Sequence, residues 1–106
     1  MNIKARKKRF FSLVSEIPLE LVFQKLGLKI HKKYLAFSPL AVKIRCPFHN
    51  EATPSFILYN NRSWRCFSCG MSGSGVFRFV LLYFSKDYGK ACRWFNKSFH
   101  IPLPWK

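Results

Sequence analysis

The stretch Cys46–Gly70, CPFHNEATPSFILYNNRSWRCFSCG, decides how the rest of the chain is read. Cys46 and His49 are two residues apart, Cys66 and Cys69 are two residues apart, and sixteen residues lie between the pairs. A two-residue gap lets a tight turn aim two donors at one point, about 2.3 Å away for a thiolate and about 2.1 Å for an imidazole. Two such knuckles supply the four ligands of one tetrahedral zinc ion, so Cys46, His49, Cys66 and Cys69 are the expected metal ligands of a single structural Zn²⁺. Asn60-Asn61 marks a turn between two strand-like runs, Ser55 to Tyr59 and Arg62 to Phe67, and that hairpin returns the second knuckle to the first.

A redox reading competes for Cys66 and Cys69 alone. A thiol pair of that type follows a strand and opens a helix in a larger α/β domain, whereas Gly70-Met71-Ser72-Gly73 follows this one. The string as a whole, CPFHNEATPSF and then Trp64-Arg65-Cys66-Phe67-Ser68-Cys69-Gly70, resembles the N-terminal zinc-binding domain of DnaG-type bacterial and phage primases, over about Ile17 to Phe95. It departs from that pattern after the second knuckle, where Gly73-Ser74-Gly75-Val76-Phe77-Arg78-Phe79 carries one residue more and a Ser in place of the usual Asp or Asn. The resemblance implies a module that helps read template DNA for initiation through an exposed sheet face. Single-stranded DNA is then the expected partner, with a separate primase catalytic subunit or helicase beside it.

At 106 residues the chain is expected to be a single domain with a modest core, so a bound metal would supply part of its folding free energy. The expected class is α+β, a small zinc-ribbon-like antiparallel sheet with flanking helices. Expected boundaries are a basic arm at 1–14, the zinc-binding domain at 15–98 and a tail at 99–106. Nineteen Lys and Arg against four acidic residues give a formal charge of +15, which calls for a polyanionic partner. Thiolate ligation points to a reducing compartment, the cytoplasm, and no stretch is apolar enough to span a bilayer.

Five of the six residues 4–9 are basic, with Phe10, Phe11, Leu13 and Val14 behind them. This is a solvated terminus, an arm gripping phosphates through Lys7, Lys8 and Arg9, or a short helix docked by its aromatic side. Ser15-Glu16-Ile17-Pro18 reads as a helix start, and Leu19, Val22, Phe23 and Leu26 form its apolar stripe up to Gly27. Val42, Ile44 and Cys46 alternate with Lys43 and Arg45, and Trp64 and Cys66 with Ser63 and Arg65. One solvent face should therefore show Lys43, Arg45 and Arg65, with Arg62 at the turn, as nucleic-acid contacts. Tyr59, Phe48 and Phe67 are candidate stacking rings, although Phe48 and Phe67, beside the ligands, are expected to pack around the metal. Helices follow at Val76–Phe84 and after a Ser85 cap, with Tyr88, Ala91, Cys92 and Phe95 inward, and the tail is expected to pack only through Trp105.

The four acidic residues, Glu16, Glu20, Glu51 and Asp87, are scattered, so a metal-dependent nucleotidyl-transfer site cannot be assembled from them. His49-Asn50-Glu51 with the Cys66/Cys69 pair imitates a zinc deaminase, but Cys46 would fill the position those enzymes keep for water. The module is thus expected to be non-catalytic alone. The other reading is a zinc-stabilised protein-interaction or regulatory module that binds a polymerase or helicase.

Overall fold

The computed structural model describes residues 2–35, 38–48, 54–60 and 62–105, with side chains of residues 31–41 excepted. His49 and Glu51 therefore lie outside the described residues, as does Asn61. The chain forms two compact units, Pro18–Gly75 and a second made of Met1–Ile17 with Val76–Lys106.

The first unit is a helix and a meander. Helix α2, Leu19–Lys25, buries Leu19, Val22 and Phe23 on the expected stripe. Five strands follow: β1 Ile30–Leu35, β2 Ser38–Ile44, β3 Phe56–Tyr59, β4 Ser63–Cys66 and β5 Ser72–Ser74. Each pairs antiparallel with the next, in the order β1-β2-β3-β4-β5.

Register sorts the side chains into rows. Val42, Leu58, Trp64 and Gly73 are partners across four strands, and Ile44, Phe56 and Cys66 across three. Apart from Gly73, every one of these residues is buried, and together they form the inner face. Each large apolar side chain buried there contributes about 1.5–3 kcal/mol. Phe56 also meets Phe23 of α2, ring centroids 6.3 Å apart. At Gly73 the indole of Trp64 lies where a side chain would begin: a Cβ would sit 2.5 Å from its Cζ2.

The second unit is helical. Helix α1, Ile3–Ser15, is capped by the Asn2 side chain, which accepts from the Ala5 amide, and it buries Phe10 and Val14. Of the readings open for the basic start, the docked helix is the one observed. Its aromatic side meets α3, Val76–Tyr83, and α4, Tyr88–Phe99, through edge-on ring pairs: Phe11 with Phe77 at 4.9 Å and Phe10 with Phe95 at 6.2 Å. Such pairs add about 0.5–1.5 kcal/mol to the apolar burial. Cys92, fully buried, is the small hydrophobe expected.

Three local expectations need correction. Ser15 and Glu16 close α1 rather than open a helix: Glu16 is its C-cap, its amide bonded to the Leu13 and Val14 carbonyls. Asp87 rather than Ser85 caps α4, accepting from the Lys90 amide at 3.0 Å, because Ser85 and Lys86 are turned to positive φ by the close of α3. In the tail, Ile101 and Pro104 are buried while Trp105 is exposed, and the Asn96 side-chain amide donates to the Ile101 carbonyl at 2.8 Å.

Candidate metal centre and nucleic-acid interface

Strand alternation that buries Val42 and Ile44 carries Cys46 to the same inner side, and the alternation of Trp64 does the same for Cys66. The second knuckle then folds back. The Gly70 amide donates to the Cys66 carbonyl at 2.9 Å, with Gly70 at φ +78°, a conformation that favours glycine. The Phe67 amide donates to the Ser55 carbonyl at 2.9 Å and the Cys66 amide to that of Met71 at 2.8 Å, fixing the turn from both sides.

The result is a cluster of three sulfurs, Cys46, Cys66 and Cys69, all within 4.8 Å of one another. The Cys46 and Cys69 sulfurs are 3.9 Å apart, far beyond a disulfide. Sulfurs at about 2.3 Å from a tetrahedral ion stand about 3.8 Å from each other, so the cluster has the dimensions of zinc ligation. Its chemistry agrees. The Cys46 thiol is pushed up to about 12, first by burial, against a lowering hydrogen bond from the Phe48 backbone and with a further push from Cys66 and Cys69. Thiols this crowded ionise together only around a cation, which reverses the sign of the local electrostatics. Outside the cluster, the Ser55 hydroxyl lies 3.6 Å from the Cys66 sulfur and shares a 2.7 Å hydrogen bond with Ser68.

On the sheet's opposite face, Lys43, Ile57, Arg65 and Ser72 form one row across β2 to β5. Ile57, only 8 % exposed, packs against Tyr59 at the centre. Arg65 is exposed and its guanidinium carbon lies 5.4 Å from the Phe67 ring centroid. Phe67 is itself 60 % exposed, which corrects the expectation that it packs around the metal. Phe48 does pack, half-buried at 5.9 Å from Phe56. Arg62 is exposed at the β3–β4 turn, and Arg45, also exposed, lines a shallow cavity with Gly27, Leu28 and Lys29. Lys7, Lys8 and Arg9 are exposed on α1, in the helical unit. The sequence offers Phe67 as a stacking ring but favours its packing around the metal, although the alternation that turns Cys66 inward also turns Arg65 and Phe67 outward.

Such a fold and thiol cluster define a small structural zinc module. The chain belongs to the CHC2 zinc finger family of DnaG-type DNA primases, which matches residues 17–106. It is 37 % identical over 62 residues to the DNA primase of Chlamydia trachomatis, covering 58 % of this chain and 10 % of that protein. The Legionella pneumophila DNA primase is 43 % identical over 47 residues, 43 % of this chain and 8 % of that protein. The crystal structure of the Aquifex aeolicus primase, comprising zinc binding and RNA polymerase domains, superposes with a TM-score of 0.67 at 28 % identity, over 90 % of this chain and 22 % of that one. The chain thus spans about a tenth of the length of the curated relatives it matches. Among the described residues, no helix is long and apolar enough to cross a membrane.

Proposed function

We propose that the chain is a non-catalytic template-recognition module of DNA replication. In this reading Cys46, His49, Cys66 and Cys69 hold one structural Zn²⁺, and the outward sheet face binds single-stranded DNA during primer initiation. Arg65 lying over an exposed Phe67, on a face that also carries Lys43, is the observation that carries the proposal. A flat cation beside an open ring receives an unpaired base and its phosphate together, and each stacked base is worth about 1–3 kcal/mol. Arg45 and Arg62 extend the phosphate contacts.

Lys7, Lys8 and Arg9 would add a second grip. Helix α1 has no acidic residue in its first turn, where Lys4 stands against the positive end of the helix dipole, and Lys7, Lys8 and Arg9 follow, exposed, in the next turn. A polyanion would relieve the mutual repulsion of these cations. A fourth ligand beside three thiols leaves no place for an activated water, which speaks for a structural ion and against deaminase chemistry. A separate primase catalytic subunit or helicase would supply the polymerising chemistry.

Fluorescence anisotropy with a labelled single strand at several salt concentrations tests the proposal. The log–log salt dependence should fall with a slope near −0.7 for each phosphate neutralised. Arg65→Glu with Lys43→Glu should flatten that slope and weaken binding about tenfold or more, with zinc content unchanged. Parent-like affinity in the double variant would remove the sheet face from the site.

A further inference from the structure

The cationic excess is not concentrated on the sheet. The helical unit holds eleven of the nineteen Lys and Arg, against two of the four acidic residues, Glu16 and Asp87. On α4, Lys90, Arg93 and Lys97 stand at i, i+3 and i+7 and all are exposed. Successive residues of a helix turn by about 100°, which places the three within a narrow stripe opposite the buried Ala91, Cys92 and Phe95. Asp87, the nearest acid in sequence, is committed to the helix end, where it accepts from the Lys90 amide. Lys90 is held over the Phe84 ring, its Nζ 5.3 Å from the centroid.

We infer that this stripe is a second nucleic-acid surface, one that takes the phosphate backbone of a duplex rather than an unpaired strand. Two features select the duplex. The stripe has no open ring to receive a base: Phe84, half-buried, lies under Lys90, and Trp94 is half-buried against Phe84, Phe95 and Phe99. What it offers is point charges on a rigid rod. Seven residues of helix advance about 10.5 Å, and a duplex carries one phosphate per about 3.4 Å of its axis on each strand, so the stripe faces a dense, stiff array of charge. A paired segment hides its bases and presents such an array, whereas an unpaired strand gains most from the stacking that only the sheet face provides. The inference stands on α4 alone and does not require the sheet face to bind anything.

The test uses the zinc-loaded full chain, with a labelled DNA duplex and the corresponding single strand titrated in parallel. Lys90→Glu/Arg93→Glu/Lys97→Glu is the main variant. The same three positions changed to Gln form a milder variant that removes charge without reversing it, and circular dichroism verifies the fold of both. Loss of three phosphate contacts should make the duplex salt slope shallower by about 2–3 and lower duplex affinity at least about tenfold at about 50 mM salt. Single-strand affinity should stay within about twofold of the parent. Arg65→Glu should do the reverse. Unchanged duplex affinity in both α4 variants would overturn the inference, as would equal losses for duplex and single strand, which would mark the stripe as an unspecific cationic surface. If Arg65→Glu leaves single-strand binding intact while the α4 variants abolish duplex binding, the sheet-face reading fails and this one stands.

Discussion

At the scale of single residues, Cys46 shows how the metal reverses the behaviour of its ligands. In the metal-free fold its thiol ionises only near pH 12 instead of 9.0, so the neutral form is favoured. The stability this contributes is complete below pH 9.0 and is lost as pH rises from there towards about 12. With zinc bound the same sulfur is a thiolate, and protons compete with the ion, so this one group weakens apparent zinc affinity about tenfold per unit fall in pH near neutrality. The two forms should therefore show opposite pH dependence. Thermal melts of the zinc-loaded protein should soften towards acid, and melts of the chelated protein should soften above pH 9; parallel profiles for the two would contradict the assignment. One alternation, continued by a single position, separates the inward Cys66 from the exposed Phe67.

The sheet owes its sharpest steric constraint to the pairing of β4 with β5. Trp64 is 2 % exposed and its ring fills the space beside Gly73, its partner in register. Gly73→Ala would force the indole or the strand aside, an overpacking that costs about 1–3 kcal/mol. Urea unfolding followed by indole fluorescence should show that loss, and a parent-like midpoint would mean that β5 is free to shift. The sequence made the knuckles and β2 to β4 legible because ligand spacing and period-two alternation are strong, local signals. It was silent on β5, since Ser72-Gly73-Ser74 holds no apolar residue and becomes a strand only by pairing with β4. The run of cations in α1 obscures Phe10 and Val14, which bury one side of it, so the sequence alone does not choose among an arm, a terminus and a helix. Ser85 reads as the α4 cap in the sequence, but the left-handed residues that close α3 postpone the start of the next helix to Asp87.

Over the whole molecule, two kinds of unit divide the physical work. The helical unit is stabilised by a dense aromatic core and carries most of the cationic excess on its outside. The sheet unit gathers a three-sulfur cluster, with Cys46 and Cys66 buried and Cys69 exposed, and presents a basic, partly aromatic face on the other side. The sulfur cluster is central, because an ion held by Cys46, Cys66 and Cys69 would tie the end of β2 to the turn after β4, beside Arg65 and Phe67. Zinc-edge X-ray absorption of the purified chain tests this most directly. One zinc per chain with three sulfur scatterers at about 2.3 Å and one nitrogen at about 2.1 Å is the predicted result. A chain without stoichiometric zinc, or zinc surrounded mainly by oxygen, would contradict it.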